Sequence, residues 1–262
     1  MKCIYWNTKN ISEIDRVIEI ATQENPDLIF LSETSIELLN VNSDQLDKIG
    51  YEYFPNPGCE RVIILKRKVI DIELGLQTRY YTSLKITGIN THIISVHLPS
   101  QMFQHMDALK EFIRDFRTNI DSEIGSSLTE RILIIGDFNV SPFDKAMIDF
   151  DGFVATNSIN ARSEITHLGK NRSTYYNPTW QLYSRNYFPG TKHFKRPSGS
   201  SYDVLEFHYL DQVVISQRLR QDMATDNIEI IENAESHSFF DKTKNMIEGS
   251  DHSPIMYEFK FL

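Results

Sequence analysis

Cysteine is nearly absent: the chain of 262 residues has only Cys3 and Cys59. Two thiols supply neither a disulfide framework nor a cysteine-ligated metal cluster, and a reducing cytoplasm is the expected setting. Long apolar runs are missing as well. No stretch approaches a membrane span, and residues 2–6 read as a strand rather than as the apolar core of a leader, so neither secretion nor membrane insertion is expected. No low-complexity linker and no repeat divides the sequence, which leads us to expect one domain across residues 1–262. Positive charge is in deficit, with 27 Lys and Arg against 36 Asp and Glu and a formal net charge of -9. That balance argues against a general polyanion binder, whose affinity would come mostly from neutralising phosphates. It leaves room for a phosphate-processing enzyme whose site is locally basic and whose acids hold divalent cations.

What is present is the composition of a soluble globular protein, 40% hydrophobic and 24% charged. The pattern centres on residues 131–139, Arg-Ile-Leu-Ile-Ile-Gly-Asp-Phe-Asn. Four aliphatic residues bounded by a glycine are too few for a helix and read as a buried strand. Gly136 permits a tight turn, and Asp137 and Asn139, one strand period apart, point the same way. Further strands are expected over residues 27–31, 51–54, 61–65, 81–86, 91–97, 209–216 and 254–261. Ser12 and Asp15 form a capping pair for a helix whose apolar face is Ile11, Ile14, Val17, Ile18 and Ala21, ended by Pro26. A short helix over 43–49 stops at Gly50. From Phe103, residues Met106, Leu109, Phe112, Ile113, Phe116 and Ile120 draw one helical stripe, which is core material. Pro142 opens a short helix to Asp149. Strand, helix, strand succession implies a layered α/β domain. Residues 156–208 differ: rich in Asn, Ser, Tyr, Arg and Pro, they read as long functional loops.

Polar groups recur just past apolar strands: Asn7, Glu33, His97, Asp137 with Asn139, Asp211, and Asp251 with His252. Singly, each has a plain explanation as a turn cap, a solvated acid or a hydrogen-bonded core histidine. Together they suit phosphoryl chemistry, in which hard oxygen ligands hold Mg²⁺, a carboxylate serves as general base and imidazoles meet the developing charge. A carboxylate behind a histidine orients the ring and favours its cationic form.

Six pieces, in order, carry a resemblance: Trp6-Asn7, the run Pro-Asp-Leu-Ile-Phe-Leu-Ser-Glu over 26–33, Ser95-Val96-His97-Leu98, Gly136-Asp137-Phe138-Asn139, Leu210-Asp211-Gln212-Val213 and Ser250-Asp251-His252-Ser253-Pro254. They span nearly the whole chain, which resembles the endonuclease/exonuclease/phosphatase superfamily of DNase I-like metal-dependent phosphoesterases. The resemblance implies a four-layer α/β sandwich, two mixed β-sheets packed face to face with helices on the outside, and a site at one edge between them. It also implies Mg²⁺, with Mn²⁺ as a possible substitute. By position, Glu33 corresponds to the principal metal ligand, with Asn7 beside it and Asp251 supporting the metal side. Asp137 corresponds to the residue that orients and deprotonates water, and Asn139 to one holding that water or a phosphate oxygen. His252 corresponds to a phosphate-binding histidine whose tautomer Asp211 fixes. His97 matches the DNase I-like, deadenylase and lipid-phosphatase branches and disfavours an abasic-site role. Lys9 and Asn10 stand where some members carry an acid and a glycine, so a second metal ligand in that loop is not expected.

Substrate contacts are expected of Asn177, which could hydrogen-bond phosphate, and of Tyr175, Tyr176 or Trp180, which could stack a base or simply pack the loop onto the core. The stretch Gly58-Cys59-Glu60-Arg61-Val62 departs from the family's glycine-rich strand entry, and Arg61 is either a phosphate ligand or a strand-edge charge. Lys192, His193, Lys195 and Arg196, and Lys66, Arg67 and Lys68, are basic runs that either guide a polyanion or face solvent. The function expected is a cytoplasmic Mg²⁺-dependent phosphodiesterase, a nuclease cleaving DNA or RNA. The alternatives are an inositol-phosphate or other phosphomonoesterase of the same fold, and a catalytically silent binding module. The presence of all eight polar positions favours activity.

Overall fold

Period-two alternation decides the architecture. Each central strand has one aliphatic row on each face, so both faces must be covered and the strands must lie inside layers. In the structure, a computed structural model describing residues 1–9, 14–100, 106–184, 190–193, 207–234, 237–239 and 250–262, the elements run as follows. The first half comprises β1 Lys2–Asn7, α1 Asp15–Glu24, β2 Leu28–Ser32, α2 Ile36–Val41, α3 Ser43–Lys48, β3 Tyr51–Phe54, β4 Ile63–Arg67, β5 Ile72–Thr78, β6 Tyr81–Ile86, β7 Thr91–His97 and α4 Met106–Glu123. The second half comprises β8 Ile132–Asp137, α5 Lys145–Ile148, β9 Ala155–Thr156, β10 Glu164–His167, β11 Lys170–Ser173, β12 Tyr175–Tyr176, β13 Lys192–His193, β14 Phe207–His208, β15 Asp211–Ser216, α6 Gln217–Asp222, β16 Met223–Ile230, β17 Asn233–Ala234, β18 His237–Ser238 and β19 Ile255–Phe261.

Two mixed sheets form, ordered β16-β19-β1-β2-β4-β3 and β5-β6-β7-β8-β15-β12-β9. Cys3, Tyr5, Leu28 and Phe30 of the first face Ile93, Leu133, Ile135, Val213 and Ile215 of the second in a shared inter-sheet core. The alternate residues Ile4, Trp6, Ile29 and Leu31 pack under α1 with Val17, Ile20 and Ala21. Ile94, Val96, Ile132 and Ile134 pack under α4 with Leu109, Ile113, Phe116 and Ile120. The result is the four-layer α/β sandwich that the resemblance implied. Among the described residues, no helix is long and apolar enough to cross a membrane.

Several boundaries move from the sequence expectations for physical reasons. The helix expected from Pro142 starts at Lys145, because the Asp144 carboxylate caps it by accepting from the Ala146 N–H at 2.8 Å. Ser12 and Phe103 lie outside the described residues. The strand expected over 61–65 runs Ile63–Arg67. Residues 156–208 contribute more than loops: β12 joins the second sheet between β15 and β9, and β10 with β11 forms a hairpin. β16, an edge strand of mixed polarity, had no alternation to reveal it and is specified by pairing with β19.

Gly136 is the tightest point of the second sheet. Its φ is +149°, and an added Cβ would meet the Val96 carbonyl oxygen of β7 at 2.0 Å. Both partners are backbone in adjoining strands, so neither can swing away. Gly136→Ala is therefore expected to lower unfolding free energy by about 2–4 kcal/mol, read from the urea midpoint at constant slope. A midpoint equal to that of the wild type would show that β7 and β8 tolerate a wider spacing.

Candidate active site

Several strands bring a polar residue to one edge of the inter-sheet layer. β1 ends on Asn7 and β2 on Ser32, and these two are partners in the parallel register. In the facing sheet, Asp137 at the end of β8 is paired with His97 of β7 on one side and with Asp211 of β15 on the other. Parity makes this row: His97 follows Ile93 and Ser95, Asp137 follows Leu133 and Ile135, and Asp211 precedes Val213, all on the inter-sheet face.

Glu33 requires another device, since strict alternation would carry it to the helix side with Leu31. Its backbone is left-handed, φ 51°, which breaks the alternation just past β2. Such strain costs about 1–3 kcal/mol in a non-glycine residue. It is offset by Thr8, whose N–H donates to the Ser32 carbonyl at 2.9 Å and whose hydroxyl lies 2.9 Å from the Glu33 carbonyl oxygen. So turned, Glu33 Oε1 accepts from Asn7 Nδ2 at 3.1 Å and lies 3.6 Å from His97 Nε2. His97 Nε2 is in turn 3.9 Å from Asp137 Oδ2. Asn139, also left-handed at φ 53°, takes the Asp137 carboxylate onto its N–H at 2.8 Å and donates its amide to the Leu98 carbonyl at 2.7 Å.

His252 arrives from the turn before β19. The Trp6 indole donates to its carbonyl at 3.0 Å, and the Ser250 hydroxyl donates to the Asn7 carbonyl while accepting the His252 N–H at 2.9 Å. Its Nδ1 then lies 2.8 Å from Asp211 Oδ2, in a pair that is almost wholly buried. Burial pushes the Asp211 carboxyl above its usual range, and the His252 ring opposes that shift. Burial likewise lowers the His97 pKa below 6.5, against the pull of Asp137 and Glu33 and with the Arg61 and His252 charges adding to the decrease.

Two donor sets deserve comparison as cation sites. Ligand atoms of Asp137, Asp211 and His252 lie within 4.8 Å of one another. Asp211 is, however, fully buried and already bonded to the imidazole, so this set is a buried histidine-carboxylate pair beside a carboxylate. Glu33 offers a hard carboxylate at the open end, its side chain 39% exposed, and the nearly buried Asn7, which turns its amide nitrogen to Glu33, offers an amide oxygen beside it. The Asn7 amide oxygen accepts from the Lys9 N–H at 3.1 Å and has a second lone pair. This pair fits a hard divalent cation better.

The expected substrate contacts divide. Tyr176 and Asn177 are corrected: β12 pulls them into the sheet, where Tyr176 is core and Asn177 is fully buried. The Asn177 amide donates to Gln212 Oε1 at 2.8 Å, and its oxygen caps Thr179 at 3.0 Å. Tyr175 is buried too, beneath the Arg117 guanidinium, 4.4 Å from the ring centroid. Trp180 is half-buried, 6.2 Å from the Phe143 ring and 5.5 Å from that of Tyr183. Phe143 and Tyr183 are exposed, an aromatic surface the sequence reading missed because its members lie 40 residues apart. Arg61 packs its guanidinium 5.1 Å over the Tyr80 ring, near enough to His97 for its charge to act there, and makes no ion pair among the described residues. Lys66 pairs with Glu52 at 2.7 Å, a strand-edge arrangement. Lys195 and Arg196 lie outside the described residues.

No protein-family model matches the chain. It is 26% identical to a DNA-(apurinic or apyrimidinic site) endonuclease of Dictyostelium discoideum over 97% of this chain and 69% of that protein. Among solved structures it superposes on an AP endonuclease from Archaeoglobus fulgidus with a TM-score of 0.58 at 17% identity, covering 99% of each chain. It also superposes on D. rerio TDP2 complexed with a single-strand DNA product, TM-score 0.62 at 15% identity, covering 98% of each. The fold is thus the DNase I-like one.

The lowered His97 pKa has a measurable consequence. Between its folded value and 6.5 the unfolded chain binds more protons than the folded one, so stability rises with pH through that window and is lost as pH falls through it. In the presence of a chelator, the urea midpoint is expected to climb as pH rises towards 6.5 and to level off above it, and His97→Gln to flatten the climb. An unchanged slope in the variant would place the acid sensitivity in another group.

Proposed function

We propose that this chain, which has the fold of the endonuclease/exonuclease/phosphatase superfamily, is a divalent-metal-dependent phosphodiesterase that cleaves nucleic acid by attack of water on phosphorus. The reading rests on one observation: from four strands and two loops, Asn7, Glu33, His97 and Asp137 are linked by contacts of 3.1–3.9 Å and Asp211 with His252 at 2.8 Å, and the two groups meet at one sheet edge, where ligand atoms of Asp137, Asp211 and His252 lie within 4.8 Å of one another. A packed core has no use for so many ionisable groups in one place, and strained backbone at Glu33 and Asn139 is of the kind retained at functional sites.

In this scheme Asn7 and Glu33 hold Mg²⁺, or Mn²⁺ in its place, which when bound polarises a phosphoryl oxygen and aligns the ester. Asp137, held by the Asn139 N–H, accepts the proton of the attacking water, and the Asn139 amide positions that water or a phosphoryl oxygen. His252 donates from Nε2 to the phosphoryl oxygens, while Asp211 at Nδ1 fixes that tautomer and favours the charged ring as negative charge grows. His97, whose pKa burial lowers, stands between Glu33 and Asp137 with its Nε2 3.6 and 3.9 Å from their carboxylates and keeps the two acids apart. Arg61 supplies a positive charge for the phosphodiester backbone, and Trp180 a face for a base. The chain acts as one domain. DNA, including DNA with an abasic site, ranks ahead of RNA and inositol phosphates because the relatives above are named for DNA or hold it.

The test is hydrolysis of single- and double-stranded DNA, abasic-site DNA, RNA and inositol phosphates with Mg²⁺. Glu33→Ala and His252→Ala are each expected to lower the rate by about 10³-fold, since each removes a group acting on the transition state. Hydrolysis by both variants at the wild-type rate would remove the site from consideration. Hydrolysis of inositol phosphates alone would favour the phosphomonoesterase, and no hydrolysis of any substrate would favour a binding module.

A further inference from the structure

Lys9 stands out as a cation inside an acidic centre. Its Nζ lies 3.0 Å from Asp251 Oδ2, joining the loop after β1 to the turn before β19 across 242 residues of sequence. The other Asp251 oxygen, Oδ1, is 4.0 Å from His252 Nε2. On its own side, the Lys9 N–H donates to the Asn7 amide oxygen at 3.1 Å, while the Asn7 amide nitrogen donates to Glu33. A continuous line of contacts therefore runs Glu33, Asn7, Lys9, Asp251, His252.

An exposed lysine-aspartate pair is usually incidental, and the Lys9 side chain is 52% exposed. Here the backbone says otherwise. Lys9 is left-handed, φ 49°, a conformation that lysine has no intrinsic reason to adopt. It is pinned there by the same amide that faces Glu33, which directs the ammonium across the opening towards Asp251. Asp251 is then a carboxylate whose negative charge is answered by a protein cation.

We propose that the Lys9 ammonium takes the cation position on the Asp251 flank, so that the centre binds one divalent ion, at Asn7 and Glu33, and excludes a second. A dication seeking Asp251 must displace the ammonium or sit beside it against like-charge repulsion. The fixed charge meets the phosphate from the side opposite Glu33, and chelators cannot remove it. This proposal rests on the metal-dependent reading above.

The experiment is a Mn²⁺ titration of the full chain without nucleic acid, with bound ion counted from loss of the free Mn²⁺ paramagnetic resonance signal. One equivalent is expected for the wild type and for Lys9→Arg, which keeps the charge. Two are expected for Lys9→Asp, and one again when Asp251→Asn is added to Lys9→Asp. Circular dichroism and urea midpoints confirm that each variant is folded. A second wild-type equivalent with affinity within about tenfold of the first, or a single equivalent in Lys9→Asp, overturns the proposal. Absence of any bound Mn²⁺ in the wild type overturns the metal-dependent reading and this proposal with it, whereas two wild-type equivalents overturn the proposal alone.

Discussion

The structure depends on strand parity at the inter-sheet layer. The row of side chains that forms the common core, Tyr5, Phe30, Ile93, Ile135 and Val213, runs on to the sheet edge as Asn7, Ser32, His97, Asp137 and Asp211. A slip of one residue in any of these strands would carry its polar terminus to the other face and turn its core row outward. Hydrophobic burial along several strands therefore fixes the positions of Asn7, His97, Asp137 and Asp211, which the strands carry. The same parity explains why the polar groups are so well buried: they are the last layer of a packed core, not a rim added to it.

Burial of that kind requires every charge to have an answer. Asp211, fully buried, is bonded to His252, and removal of either partner would leave the other uncompensated at a cost of about 3–5 kcal/mol. His97 is held neutral instead, with its Nδ1 lacking a partner among the described residues and its Nε2 turned to Glu33 and Asp137. The two imidazoles therefore sit in different environments, His252 with the Asp211 carboxylate directly behind its Nδ1 and His97 without one. Differences in environment at paired titratable groups are how one site separates a proton-holding role from a hydrogen-bonding one.

Much of this was legible in the sequence because strand periodicity is local. The aliphatic run before Gly136 and the polar residues at strand ends could be read without knowing the pairing, and their order along the chain carried the fold. What escaped depended on partners distant in sequence. Tyr176 and Asn177 resemble a substrate loop in composition, yet pairing of β12 with β15 makes them interior. Glu33 stands out by its place just past β2, but the left-handed turn, secured by Thr8, that brings it to Asn7 and His97 does not. β16 has no pattern of its own and exists because β19 offers it an edge.

The order of β19 between β16 and β1 binds the site to the completion of folding. His252 stands three residues before Ile255, which pairs with Tyr5, and it is held by Trp6 and, through Ser250, by Asn7, both at the end of β1. The first and last segments of the chain must therefore meet before His252 can reach Asp211 in the opposite sheet. Contacts of such sequence separation form late and at high loop-closure entropy. Until they form, the second sheet presents Asp137 and Asp211 without His252, so a chain lacking a docked β19 has a large part of the core and an incomplete polar cluster.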